Sequence, residues 1–287
     1  MNDTLTGART APRTPRDGLW RDKTCTLDTA IGVLRDGDLL GLGGLALCRS
    51  PVAAALEILR QGRRELRLLD YIAGFEGDVL VGGGAIASVQ SCYFGLDVLG
   101  LAPMYRQAAE RGWLRVIEET EATIAYGLRA ARAGVDFLPV RTFAGTDMLS
   151  VRPDLRLVGS PYSDDVYVAV PALVPDVAIV HVAQCDRDGN AVFGSAASLD
   201  VDLAAAARVT ILTAESIVDT ETIARQGADL LGMYVDHVVH APRGAWPASC
   251  MPAYNADFAL LADYVEACPR GEFDAFLGAR VLAATSA

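Results

Sequence analysis

Closely spaced cysteines are missing from this chain. The six cysteines fall at 25, 48, 92, 185, 250 and 268, with no C-x-x-C pair to hold zinc and no disulfide framework. Histidine is scarce too, at 3 residues. His237 and His240 are three apart on an expected strand and face opposite sides, so they do not share a metal. Positive charge is in deficit: 25 Lys and Arg against 36 Asp and Glu, net −11. That excludes a nucleic-acid partner, which demands a basic footprint. No long apolar run occurs, because Val166–Ala183 is interrupted by Pro171, Pro175 and Asp176, so no membrane span is expected. Residues 1–24 lack the apolar core of a secretory signal. No G-x-S-x-G elbow is present, which removes the α/β-hydrolase triad. Gly82-Gly83-Gly84 lacks the Gly-Lys-Ser/Thr of a phosphate-binding loop. These absences leave a cytoplasmic protein with a flexible tail over residues 1–24 and one domain over 25–287.

What the chain does have is 287 residues, 52% of them hydrophobic, enough for one large α/β core. Strand and helix patterns alternate. A helix around Leu27–Arg35 precedes a strand at Leu39–Gly43, and Ser50-Pro51 reads as the N-cap and first residue of a helix over Val52–Arg60. Strands follow at Glu65–Gly74 and, after a Gly-interrupted segment, at Ala87–Tyr93. Next come helix Met104–Arg111, strand Leu114–Ile117, helix Glu121–Ala133 and strand Phe137–Val140. Residues 141–165 read as a long irregular excursion. Strands Val166–Val170, Val177–Val182, Val209–Thr213 and Val235–Val239 complete the pattern, with helix Asp202–Ala207, a loop at 241–255 and C-terminal helices. This predicts an α/β fold: an open, mostly parallel sheet with helices on both faces.

The glycines of "GLGGLALCRSP" (41–51) stand where the first strand ends. Gly41, Gly43 and Ala46 match G-x-G-x-x-G/A, with Asp70 at the end of the next strand, which would suit a nicotinamide-dependent oxidoreductase. The helix signal comes late for that motif, and a tight bend with no ligand remains open. Cys48 reads either as a nucleophile or as a small buried hydrophobe, and His181 as a satisfied core histidine. In "IEETEA" (117–122), three carboxylates crowd a strand end and a helix start. They suit a capping box at Glu118 or Thr120, or a carboxylate facing a pocket at the strand's carboxyl end.

Seven stretches in order carry a resemblance: "DGDLLGLGGLALCRSPVAAALEILR", "DVLVGGGAIASV", "YFGLDVLGLAPMYRQAAERG", "FLPVRTFAGTDM", "PDVAIVHVAQCDRDGNAVF", "AESIVDTE" and "VDHVVHAPRGAWP". Over roughly residues 27–270 the chain resembles the alpha subunit of class I coenzyme A transferases of the glutaconate type. The resemblance implies the class I CoA-transferase fold and partnership with a beta subunit, in a heterodimer or heterotetramer. It implies an acyl-CoA thioester and a carboxylic acid as substrates, with no permanently bound cofactor and no metal. The nucleophile would be a glutamate in a Glu-x-Gly motif of the beta chain; "FEGD" (75–78) stands in the wrong context to replace it. Gly43 and Gly44 then match a Gly-Gly element beside the acyl-CoA cleft, whose amides suit an oxyanion. Arg49 becomes a donor to a phosphate or carboxylate. Gly82 and Gly83 match a further Gly element, for which close packing is the plainer reading, and Thr120 stands in for a serine hydroxyl of the family. Glu121 resembles the base of a related steroid ring-cleaving hydrolase, and a decarboxylase is another relative. The resemblance therefore implies CoA transfer first, with hydrolytic ring cleavage or decarboxylation as alternatives.

Overall fold

The computed structural model describes residues 21–282 apart from 144 and 196. The expected tail at 1–20 and residues 283–287 lie outside the described residues. Residues 21–24, assigned to the tail from sequence, are docked. Lys23 is 7% exposed, its ammonium donates to the carbonyls of Asp188 and Gly232, and Thr24 pairs with Val238.

An eight-stranded sheet organises the chain. Seven strands are parallel, in the order His237–His240, Val209–Ile217, Val177–Cys185, Leu39–Leu42, Leu66–Asp70, Ile86–Ser91 and Arg115–Glu118; Ala191–Val192 pairs antiparallel with Val177–Cys185. The central strands are near-continuous apolar runs because both faces are covered. Alternation divides their side chains. Leu40, Leu42, Leu68, Ile179 and Ile211 join one core, against helices Leu27–Ile31, Val52–Arg60, Phe75–Gly82, Pro103–Glu110 and Phe258–Ala267. Leu39, Leu69, Val180, Val182 and Leu212 join the other, against helices Glu121–Ala133 and Asp200–Ala206. Each such fully buried Leu, Ile or Val contributes about 1.5–3 kcal/mol of transfer free energy.

Three sequence expectations need correction. Strands Phe137–Val140 and Val166–Pro171 do not join the parallel sheet. With Arg156–Gly159 they form a separate antiparallel sheet. The excursion at 141–165 is therefore structured, holding a helical turn at Met148–Val151 as well as that strand. It is docked through Arg152, which donates to the Glu118 carbonyl and pairs with Glu119 and Asp154. Ser50 does not cap the helix it precedes; its hydroxyl donates back to the Ala46 carbonyl.

Strand order places the functional end of the molecule. From Leu39–Leu42 the chain builds outward through Leu66–Asp70, Ile86–Ser91 and Arg115–Glu118, then returns to build the other half from Val177–Cys185. The direction reverses between Leu39–Leu42 and Val177–Cys185. In open parallel sheets the ligand crevice lies outside the carboxyl ends of the strands at such a switch point.

Candidate active site

Gly43 and Gly44 sit at that position. Gly43 donates its N–H to the Ile179 carbonyl across the switch point, and Gly44 donates to Asp200 Oδ1 at 2.8 Å. Both amides proposed from sequence as oxyanion donors are thus engaged within the chain, and an incoming carbonyl would have to displace Asp200 from Gly44. The glycines are needed for space. A Cβ on Gly43 would lie 2.6 Å from Asp200 Oδ1. Gly44 has φ +100° and a Cβ there would meet the Cys48 carbonyl oxygen at 2.8 Å, a conformation other residues rarely adopt. A small pocket opens beside the turn, with Gly43, Gly44, Tyr71, Ile124, Ser198 and Asp200 in its lining.

Arg49 is no surface donor. It is fully buried, its guanidinium 2.8 Å from Asp200 Oδ2 and stacked over Phe193 at 4.6 Å. It donates also to the His181 carbonyl. Asp200 thereby holds Gly44 with one oxygen and Arg49 with the other, and braces the loop that follows the first strand. Asp200 is the residue sequence reading missed. Its only local signal is an acid in the first turn of a helix, 156 residues from Gly44.

Glu121 is exposed in the first turn of the helix Glu121–Ala133. After burial, its carboxylate is the next cause holding the Tyr71 phenol above its ordinary value, and Tyr71 lines the same pocket. Thr120 caps the helix: it accepts from Thr123 N–H at 3.1 Å, and Thr123 Oγ1 accepts from Thr120 N–H at 2.8 Å. Glu119 is buried, 2.6 Å from Arg152, and accepts from Gln90. The acidic run thus divides into a buried brace at Glu119, a cap at Thr120 and two exposed carboxylates, Glu118 and Glu121.

Gly82 and Gly83 are not brought to this site. They precede the strand Ile86–Ser91 and lie at the amino edge of the sheet, opposite the Gly43–Gly44 turn. Added Cβ atoms would meet Phe273 at 2.5 Å and Leu59 at 2.6 Å, so they serve close helix packing. Asp70, which a dinucleotide fingerprint would turn toward a ribose, is 2% exposed, and the helix after the glycines begins only at Val52. The nicotinamide reading has no support in this geometry. Glu76 of "FEGD" is 1% exposed.

His181 is the satisfied core histidine expected. Its Nδ1 lies 2.9 Å from Thr213 Oγ1 and its Nε2 2.8 Å from Glu215 Oε1. Glu215 also accepts from the Tyr254 hydroxyl and the Arg243 N–H. The nearest polar atoms of His181, Glu215 and Cys250 lie within 4.8 Å of one another. The His–Glu separation is that of a hydrogen bond, shorter than the roughly 3.3 Å between two N/O ligands on one tetrahedral zinc. Cys48 is half-buried, 3.3 Å from Ser195 Oγ.

Comparison with known proteins gives the family. Residues 24–241 match the coenzyme A transferase family, to which the chain belongs. It is 35% identical, over 88% of its length and 86% of the relative's, to the A-type subunit of glutaconate CoA-transferase from Acidaminococcus fermentans. It is also 35% identical, over 86% of its length and 87% of the relative's, to the cholesterol ring-cleaving hydrolase IpdA subunit of Rhodococcus jostii. The crystal structure of the A. fermentans glutaconate coenzyme A-transferase superposes with a TM-score of 0.83 at 34% identity, covering 89% of this chain and 87% of that one. The chain is thus an alpha-type subunit of the class I fold. Among the described residues no helix is long and apolar enough to cross a membrane.

Proposed function

We propose that this chain is the alpha subunit of a cytoplasmic enzyme that moves coenzyme A from an acyl-CoA thioester to a free carboxylate, working with a beta subunit of the same family. The observation that carries the reading is the likeness to the A-type subunit of glutaconate CoA-transferase across 88% of the chain. Its glycine turn lies at the switch point where such a sheet takes its ligand. The alpha chain supplies the narrow, Cβ-free approach at Gly43–Gly44 and the mouth formed with Tyr71 and Glu121. The nucleophile comes from the partner. Of the acids around the turn, Asp70 and Glu76 are buried and Asp200 is buried and paired with Arg49. In the transfer scheme the partner's glutamate attacks the thioester carbonyl. The C–S bond breaks to give an acyl–glutamyl anhydride and CoA thiolate; the thiolate attacks the glutamyl carbonyl, releasing the donor carboxylate and leaving an enzyme-bound CoA thioester, which the acceptor carboxylate takes up by the reverse steps. No permanent cofactor takes part; the CoA thioester is the substrate.

Hydrolysis with Glu121 as base, or decarboxylation, is not favoured. Glu121 is exposed at a helix start, where an acid already has a structural reason to be. The test uses the chain co-expressed with the product of its neighbouring gene, and a panel of acyl-CoAs with and without acetate, read by mass spectrometry. Acetyl-CoA formed only when acetate is present is the expected result. An acyl-CoA that gains water or loses carbon dioxide without acetate would overturn it.

A further inference from the structure

Just past the strand His237–His240 the chain turns sharply, and Arg243 takes φ +55°, a left-handed conformation that costs most side chains energy. Its N–H donates to Glu215 Oε2 at 2.6 Å, which holds the turn. The other oxygen of Glu215 is engaged by His181 Nε2 and by the Tyr254 hydroxyl, and that hydroxyl accepts from Ala245 N–H at 3.1 Å. One carboxylate thus fixes both the backbone of Arg243 and a ring against which its side chain lies. The Arg243 guanidinium is 5.4 Å from the centre of the Tyr254 ring and 5.6 Å from that of Trp246. It is exposed, and among the described residues it makes no ion pair or side-chain hydrogen bond. Other exposed arginines pair with acids: Arg60 with Asp28, Arg141 with Asp165, Arg187 with Asp22. Arg243 is instead held against two rings with its donors open to solvent, ready for a bidentate contact to a carboxylate or phosphate.

Its place in the fold puts it on the crevice side of the sheet. Glu215 lies toward the carboxyl end of Val209–Ile217, two strands from Leu39–Leu42, so the Arg243 turn is held about 10 Å to the side of the first strand. The loop that carries it is tied to the glycine loop: Ser249 N–H donates to the Leu47 carbonyl at 2.8 Å, and Arg49 N–H donates to the Ser249 carbonyl at 2.7 Å. We propose that Arg243 binds an oxyanion of the substrates, a carboxylate or a phosphate, at the rim of the acyl-CoA site; this rests on the reading of that crevice as the acyl-CoA site. Arg49, the arginine of the glycine loop, is committed to Asp200 and leaves this task open. In a chain of net charge −11, a local cation at the crevice also favours the approach of anionic substrates.

The experiment compares wild type with R243A and R243K, all purified in complex with the beta subunit. Steady-state kinetics use an acyl-CoA, the matching acyl-pantetheine, which lacks the nucleotide phosphates, and acetate or glutarate as acceptor. The expected result for R243A is a KM raised about 10–100-fold for the substrate that carries the oxyanion, as for loss of a charge-assisted hydrogen bond, with kcat and melting temperature little changed. R243K should recover only part, since an ammonium lacks the planar fork. A rise seen with acyl-CoA and absent with acyl-pantetheine assigns the contact to a phosphate. A rise confined to glutarate assigns it to a carboxylate. KM values within about twofold of wild type for every substrate would overturn the inference. So would an R243A chain that keeps its KM but loses its beta subunit, because the anion would then belong to the partner. Calorimetric titration of wild-type and R243A complexes with CoA and with glutarate needs no turnover. Weaker binding to R243A would sustain the inference even if no transfer were detected, so that the transferase reading alone would fall; equal binding of both probes would overturn it.

Discussion

Arg49 and Asp200 meet at 2.8 Å with both side chains wholly buried, and the second oxygen of the same carboxylate receives the Gly44 N–H. One aspartate thus ties the loop after the first strand to a helix from the other half of the sheet. Asp200→Asn should be among the most damaging single changes near the site. It leaves the buried Arg49 charge without its carboxylate, a loss of about 3–5 kcal/mol for breaking one side of a buried pair. Denaturant unfolding of the purified complex measures it, and a loss below about 1 kcal/mol would show that the pair is not buried as described.

The two glycine elements should separate by effect. Gly43→Ala drives a Cβ to within 2.6 Å of Asp200 Oδ1 and should lower kcat/KM at least tenfold, about 1.4 kcal/mol in the transition state. Gly82→Ala meets the Phe273 ring at 2.5 Å on the opposite edge. It should cost about 1–3 kcal/mol of stability and leave kcat/KM within twofold of wild type. Steady-state kinetics and melting on both variants check the contrast; equal kinetic damage would refute it.

Glu121→Gln discriminates between chemistries. In a transferase whose nucleophile lies on the partner, the exposed Glu121 contributes mainly to its helix start, about 0.3–1 kcal/mol. Acetate-dependent transfer should persist within tenfold. Were Glu121 a general base, the loss would be about 10²–10⁴-fold.

Tyr254→Phe tests the His181–Glu215 network. Burial alone would raise the Glu215 carboxyl, but hydrogen bonds from His181 and Tyr254 outweigh it and hold the group below its ordinary value of 4.5. A lowered native value stabilises the fold above 4.5, and that stabilisation disappears as pH falls through the native value. The variant should lose about 1–3 kcal/mol at neutral pH, with the gap to wild type narrowing in acid. Unfolding at several pH values reads it, and a gap independent of pH would exclude Glu215 as the partner that matters.

Local pattern carried much of this fold. The helices Val52–Arg60 and Glu121–Ala133 stand where their apolar spacing placed them, because amphipathic packing acts over a few residues, and the second also starts on its Thr120 cap. The antiparallel sheet of Phe137–Val140, Arg156–Gly159 and Val166–Pro171 was not legible. Pairing partners in a sheet are chosen by tertiary contact, and "RLVG" (156–159) is too short and too exposed to announce itself. The site was half legible. Gly43 and Gly44 show in the sequence because only glycine suits a close approach. Arg49 misled because an arginine in a glycine loop looks the same whether it awaits a ligand or already has Asp200.

Strand order has a consequence for how the chain is made. The first strand, Leu39–Leu42, is flanked on one side by Leu66–Asp70, which follows soon after it, and on the other by Val177–Cys185. On the ribosome the amino-terminal half can assemble four strands while one flank of the first stays open, a hydrogen-bonding edge lined with Leu and Gly. Such an edge invites pairing between nascent chains. Fragments ending before Val177 should carry it into solution and precipitate where the full chain does not.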